Sequence, residues 1–265
     1  MLVHPEFDPI ALTLGPLQVH WYGLMYLIGF AGGWWLGRLR ARPGSAWTPA
    51  DMDDLVFYIA LGVILGGRIG YTLFYGLDNF LSNPLTLFYI WQGGMSFHGG
   101  FLGVLLAMWI YGRKRDKGFW QVTDYIAPLV TIGLGAGRIG NFINQELWGK
   151  VSNLPWAMVF PAAGPEPRHP SMLYEAILEG PVLFLILWLY SAKPRPTMAV
   201  SALFLICYGV FRFGIEFVRL PDAHIGYLAF GWLTMGQVLS APMILVGIGL
   251  IIFAHRRQPS QSKTL

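Results

Sequence analysis

The sequence predicts an all-α, polytopic membrane protein of about seven transmembrane helices, and three observations carry that expectation. Of its 265 residues, 55% are hydrophobic and only 12% are charged, against about 25% charged in an ordinary soluble domain; the mean hydropathy is +0.51. Seven apolar runs approach or reach the length of about 20 residues that a hydrocarbon core requires. Basic residues recur after alternate runs, as they do in a chain threaded back and forth through a bilayer. The rest of the composition removes other classes. With 11 Trp, 12 Tyr and 18 Phe the chain is neither disordered nor fibrous, and its 33 Gly follow no collagen-like period. A single cysteine, Cys207, can build neither a disulfide framework nor a thiolate zinc cage. A net charge of +4 would suggest a nucleic-acid partner in a soluble protein. In a membrane protein the placement of the positives matters more than their sum, and no nucleic-acid partner is expected.

Residues 1–20 contain no Lys or Arg, so they lack the basic start of a secretory signal and read as an exported arm. The apolar runs follow at residues 21–36, 55–75, 97–111, 122–139, 173–190, 198–217 and 233–254. Stretches such as 180–190 and 239–254 are continuously apolar, whereas membrane-spanning strands would alternate, so the runs are read as helices. Arg38, Arg40 and Arg42 follow the first run; Arg113, Lys114, Arg115 and Lys117 the third; Lys193 and Arg195 the fifth; Arg256, Arg257 and Lys263 the seventh. These 12 of the 18 basic residues mark the cytoplasmic side, which places the N-terminus outside and the C-terminus inside. Residues 141–171, rich in Pro, Gly and Trp, then form an external cap between helices four and five, and the whole chain, 1–265, reads as a single transmembrane domain. Asp124, near the inner end of the fourth run, suits a helix start or a packing position. Gly62, Gly66 and Gly70, like Gly133 and Gly137, sit four apart and suit close helix packing.

Six basic residues remain: Arg68, Arg138, Lys150, Arg168, Arg212 and Arg219. Lys150 and Arg168 fall in the cap, where water hydrates them. The other four lie within or at the ends of spans, where an unpaired charge costs several kcal/mol. All four stand toward the outer side, and His98 opens the third run from that side. Guanidinium forks onto phosphate oxygens, so this group suits an anionic lipid head group in the outer leaflet. Tyr208, Arg212, Glu216 and Arg219 share one helical face, which lets Glu216 neutralise and aim an arginine. The alternative is structural: arginines that snorkel or pair with Glu175, Glu179, Glu216 or Asp222. Glu175 and Glu179, four apart on the fifth run, fit either role.

His98 stands between Ser96-Phe97 and Gly99-Gly100, where the backbone is bare, and imidazole accepts protons near neutral pH. Ser96 and His98 are badly spaced for a protease dyad. His20, beside Trp21 and Tyr22, suits an aromatic interfacial belt. Asn141, Asn144, Gln145, Glu146 and Gly149 follow Arg138 closely and offer donors and acceptors either to a glycerol-like polyol or to the local helix end and loop. The histidines and acidic residues show no metal-ligand spacing, and neither a metal nor a cofactor is expected.

The stretch Gly137-Arg138-Ile139-Gly140-Asn141-Phe142-Ile143-Asn144-Gln145-Glu146-Leu147-Trp148-Gly149 resembles the signature of the prolipoprotein diacylglyceryl transferases of bacterial inner membranes. The similarity extends to His20-Trp21-Tyr22-Gly23, to Gly66-Gly67-Arg68-Ile69-Gly70-Tyr71, and to Ser96-Phe97-His98-Gly99-Gly100. It continues through Arg168-His169-Pro170-Ser171 with Tyr174-Glu175, and from Tyr208-Gly209 through Arg212 to Glu216, Arg219, Pro221 and Asp222, across nearly the whole chain. The resemblance implies an inner-membrane enzyme with a periplasmic arm and cap and an active site toward the periplasmic leaflet. It implies transfer of the diacylglyceryl group of phosphatidylglycerol to the lipobox cysteine thiol of a prolipoprotein signal peptide, leaving a thioether and glycerol phosphate, as the first step of lipoprotein maturation. It implies catalytic roles for His98, Arg138, Tyr208 and Arg212. Phosphatidylglycerol binding would fall to Arg138, Arg212, Arg68, Tyr22, Asn141, Asn144, Glu146 and Gly149, with Glu216, Arg219 and His169 in support. The chemistry is consistent: the thiol must become a thiolate, and the departing phosphate needs its charge stabilised. The nucleophile then belongs to the substrate, and Cys207 is packing in the sixth span. The rival expectation is a non-catalytic binder or transporter of anionic lipid in the outer leaflet. Transport would need a polar path through the inner half, where the sequence offers little beyond Asp124.

Overall fold

A computed structural model describes residues 2–15, 17–41, 44–89, 91, 93–221 and 225–257. Arg42, Asp222 and Lys263, named above, lie outside the described residues. Each of the seven apolar runs is helical, and among the described residues four helical segments are long and apolar enough to cross a membrane: Pro49–Tyr75, Phe119–Ile143, Ser171–Tyr190 and Met235–Arg257. The chain divides into two compact units, Met1–Trp35 with Asp124–Leu265, and Leu36–Thr123. Helix α1 (Trp21–Arg40) begins in the first unit and ends in the second.

In the second unit, α2 (Pro49–Tyr75) starts at a capping box. The Thr48 hydroxyl accepts from the Asp51 amide at 3.1 Å, while the Asp51 carboxylate accepts from the Thr48 amide at 2.9 Å. These bonds satisfy donors that a helix start leaves open. A short helix, α3 (Leu77–Ser82), and a 3-10 turn at Pro84–Phe88 lead to α4 (Phe97–Lys114), capped by Ser96, whose hydroxyl accepts from the Gly99 amide at 3.2 Å. Glycines hold α2 and α4 together. A Cβ on Gly66 would lie 2.8 Å from Gly103 Cα, and one on Gly70 would lie 2.7 Å from Gly99 Cα. The contact is backbone against backbone, so neither side can yield cheaply. Gly103→Ala should therefore destabilise the protein by about 1–3 kcal/mol, as overpacking does. A lowered thermal midpoint in detergent would register it. Gly249→Ala, where a Cβ meets open space, should show no such loss.

In the first unit, α5 (Phe119–Ile143, its first turns in the second unit) meets α1 at Gly29 and Gly133, where a Cβ on Gly29 would lie 2.7 Å from Gly133 Cα. Gly137 differs from the packing role that its spacing suggested: a Cβ there would meet nothing within 4 Å. The fifth run is one apolar segment in sequence but three pieces in space: α6 (Ser171–Ile177), a wide turn at Leu178–Val182, and α7 (Leu183–Tyr190). Gly180 leaves helical geometry there (φ −89°, ψ −106°), ahead of Pro181, which has no amide to donate. Asp124 lies inside α5, not at its start, and serves the start of another helix. Its carboxylate accepts from the Met198 amide at 2.7 Å and the Ser201 amide at 2.8 Å, ahead of and within α8 (Ala199–Ile215). The last helix, α9 (Met235–Arg257), packs along α8. A buried core of Ala127, Leu183, Leu187 and Val200 is surrounded by half-buried side chains that include Cys207 and Tyr208, as the packing reading of Cys207 expects.

Arm and cap depart from an all-helical chain. The arm contributes β1 (Leu2–Val3) and a hairpin of β2 (Ile10–Leu14) with β3 (Leu17–His20). β1 runs parallel to β4 (Met158–Val159), which pairs antiparallel with β5 (Pro167–Arg168). The arm is thus a strand of the cap. His4, buried between Phe142 and Phe160, fixes it further with a ring nitrogen 2.7 Å from the Phe142 carbonyl.

Candidate active site

Three arginines of the first unit meet three glutamates. Arg138, near the end of α5, sets Nε 3.0 Å from Glu179 Oε2 and Nη1 3.1 Å from Glu175 Oε2. Arg212, in the last turn of α8, bonds Glu175 Oε1 through Nη1 and lies 2.5 Å from Glu216 Oε1 through Nη2. Arg219 Nη1 stands 3.5 Å from Glu175 Oε1 and 3.9 Å from Glu216 Oε1. Glu175, at 0% exposure, is the hub that touches all three guanidiniums. The two glutamates of the fifth run are therefore partners of the arginines, with Glu179 placed by the wide turn that follows α6. Their i,i+4 spacing in an apolar run signalled a shared face; which cations they meet needed the fold. Burial of unpaired charges would cost several kcal/mol each, and mutual pairing offsets it.

The cluster is sealed on its carboxylate side and open on its arginine side. Glu175 and Glu179 are 0% and 1% exposed, whereas the Arg138 and Arg212 side chains retain 18% and 16%. A group arriving from outside meets guanidinium first. Tyr208 lies one turn before Arg212 on α8, its ring stacked on Phe204 at 5.7 Å, and its hydroxyl makes no hydrogen bond to the described residues.

The segment after Arg138 folds back on itself. Glu146 accepts from Asn141 Nδ2 at 3.0 Å and from Asn144 Nδ2 at 3.3 Å, and its amide donates to the Asn141 carbonyl at 2.8 Å. Gln145 and Leu147 adopt φ of 53° and 61°, a region that costs a non-glycine residue about 1–2 kcal/mol. Tyr22, His20, Phe7, Pro9, Asn144 and Glu146 line a cavity of about 600 Å³. His20, read from sequence as part of an aromatic belt, thus faces this cavity. Gly149 sits where two chains cross: a Cβ would lie 2.6 Å from both His169 Cβ and the Val218 carbonyl oxygen. Its amide donates to the His169 carbonyl at 2.8 Å, and it bridges to Arg219.

His169, in the cap, holds Nδ1 3.3 Å from the Tyr174 hydroxyl, which accepts from Trp156 Nε1 at 2.7 Å. Burial pushes its imidazole below the ordinary histidine value of 6.5. Between the folded and unfolded values the unfolded chain binds more protons, so this group's contribution to stability falls as pH drops through about 6.5. The thermal midpoint should decline modestly from pH 7.5 to 5.5, and His169→Asn should shallow that decline.

Arg68 and His98 belong to the second unit. Arg68 is buried and donates to four backbone carbonyls: Leu87 at 2.9 Å, Gly93 at 2.6 Å, Gly94 at 3.0 Å, and Thr86. It braces the connection between α3 and α4, a role with no sequence signal because backbone acceptors leave none. His98, in the first turn of α4, is exposed, with its ring 5.7 Å from that of Phe97.

Fold and site define a multi-pass helical membrane protein with a guanidinium centre able to hold an anionic group. The family model for prolipoprotein diacylglyceryl transferase matches residues 9–253, and the chain belongs to that family. Among its relatives, a phosphatidylglycerol–prolipoprotein diacylglyceryl transferase of Pseudomonas paraeruginosa is 62% identical over 264 residues, 99% of each chain. One of Solidesulfovibrio magneticus is 64% identical over 265 residues, again 99% of each. One of Nitratidesulfovibrio vulgaris is 64% identical over 252 residues, 95% of this chain and 96% of the relative.

Proposed function

We propose that this chain transfers the diacylglyceryl group of phosphatidylglycerol to the lipobox cysteine of a prolipoprotein. Family membership over residues 9–253 and the names of relatives at 62–64% identity support the reaction. The observation that carries the assignment of residues is the Arg138–Glu175–Arg212 centre, open on its guanidinium side. In this reading seven spans place the N-terminus, the arm 1–20 and the cap 141–171 in the periplasm, with the C-terminus in the cytoplasm. Residues 1–265 serve as one catalytic domain of the bacterial inner membrane.

Arg138 and Arg212 hold the lipid phosphate, Tyr208 orients one of the groups that act on the substrate, and Tyr22, Asn141, Asn144 and Glu146 receive the glycerol head group. The cysteine thiol passes its proton to His98. Sulfur forms a bond to the glyceryl carbon as that carbon's bond to the phosphate oxygen breaks, and the electron pair leaves on the phosphate. Glycerol phosphate departs with one further negative charge, which the guanidiniums stabilise. Arg68 and Gly149 are further candidates for binding phosphatidylglycerol, with Glu216 and Arg219 in support through the ion pairs and His169 through the cap. Incubation of purified protein with phosphatidylglycerol and a lipobox peptide should yield, by mass spectrometry, a diacylglyceryl thioether and free glycerol phosphate. A peptide recovered unmodified would instead favour a lipid binder. His98→Asn should lower the rate by about 10²-fold, as loss of a general base does, and remove the acidic limb of the pH–rate profile. An unchanged profile would take His98 out of the proton transfer.

A further inference from the structure

We infer that Thr234 and Gly236, at the start of α9, are positioning residues that aim Arg212 through Glu216. The inference rests on the assignment of Arg212 to the phosphate site.

Helix α9 is the most hydrophobic of the spanning candidates, yet Thr234 and Gln237 at its start are buried at 2% and 0% exposure. Part of the reason is a capping box. The Thr234 amide donates to Gln237 Oε1 at 3.0 Å, and the Gln237 amide donates to the Thr234 hydroxyl at 3.3 Å. A box of this kind uses the hydroxyl only as an acceptor and leaves its proton over. Here that proton goes to Glu216 Oε2. With Oε2 held by Thr234, Oε1 is the oxygen that reaches Arg212 Nη2 at 2.5 Å and Arg219 Nη1 at 3.9 Å. Oε2 carries the hydrogen bond from Thr234 and Oε1 the ion-pair contacts, so Thr234 sets where the carboxylate stands and from which side it pulls on Arg212.

Gly236 makes room for this arrangement. A Cβ there would lie 2.5 Å from Glu216 Oε1, and the carboxyl group is the end of a flexible side chain. A methyl would therefore push the carboxylate aside while leaving the helix intact. Arg212, Glu216, Arg219, Thr234 and Gly236 also share the wall of one small cavity of about 20 Å³, so the start of α9 borders the same space as the two arginines.

The test is a double-mutant cycle read as kcat/KM for transfer from phosphatidylglycerol to a lipobox peptide, with thermal midpoints measured alongside. Thr234→Val and Gly236→Ala should each lower transfer about 10- to 100-fold, the range for losing or misdirecting a hydrogen bond to a charged group. Gly236→Ala leaves the cap bonds in place, so its thermal midpoint should fall less than that of Thr234→Val. Thr234→Ser, which keeps the hydroxyl, should restore most of the rate. In a Glu216→Gln background Thr234→Val should add no further loss, because the group it acts through is already altered. Wild-type rates in Thr234→Val or Gly236→Ala would overturn the inference, as would losses that multiply with Glu216→Gln. If one variant fails to fold, the other carries the cycle. Normal transfer by Arg212→Ala would remove the underlying site assignment itself, an outcome separate from the failure of Thr234 alone.

Discussion

Arg138→Ala is expected to abolish transfer, with a loss of about 10³-fold or more, because a group that stabilises developing charge in a water-poor site is worth about that much. The same change leaves Glu179 without its guanidinium partner, from which Arg138 Nε stands 3.0 Å away. Removing one member of a buried ion pair costs about 3–5 kcal/mol, so the alanine variant should also melt earlier. Arg138→Lys separates the two effects. A lysine retains the charge and keeps the carboxylates paired, yet it cannot fork onto two acceptors. It should fold normally and still transfer about 10²-fold more slowly, as when one stabilising donor is lost. Near-normal turnover by Arg138→Ala in the peptide-modification assay would exclude Arg138 from the phosphate site.

The second large effect belongs to a residue that never meets substrate in this reading. Glu175→Gln leaves three guanidiniums facing two carboxylates in a largely buried cluster. Its cost should reach about 3–5 kcal/mol and exceed that of Glu179→Gln, since Glu175 pairs with Arg138, Arg212 and Arg219 whereas Glu179 makes its ion pair with Arg138. Thermal unfolding followed by intrinsic fluorescence, for which 11 tryptophans provide the signal, would rank the two variants. Equal midpoints would mean that Glu175 is not the hub.

Hydropathy located the long apolar helices, because each shows as an apolar run, whereas the short α3 gave no such signal. It located the break at Gly180-Pro181 less well, since both residues sit inside a run whose hydropathy does not falter. The strand that joins arm to cap was out of reach: two-residue pairings such as Leu2–Val3 with Met158–Val159 are too short to show a period of two. Arg138 and Arg212 could be singled out because a membrane should exclude them. Whether Glu175 and Glu179 were structural or functional partners was undecidable from spacing, as pairing is a tertiary property. Arg68 shows the converse. It looked like its fellow arginines in sequence, yet its partners are carbonyls of residues 86–94, acceptors that every residue carries. Thr234 was missed because a lone hydroxyl at the head of an apolar helix reads as an ordinary cap.

The arginine–glutamate cluster balances three positive groups against three negative ones. An anionic head group that docks there finds no electropositive well to fall into. It must exchange places with a carboxylate at the guanidinium edge, and the gain is the difference between two similar bonds. Such an exchange should give a bulk phosphate or sulfate ion little advantage over the carboxylates already in place. Selection then falls to what else the ligand brings, namely acyl chains already in the bilayer and a polyol that reaches the neighbouring cavity.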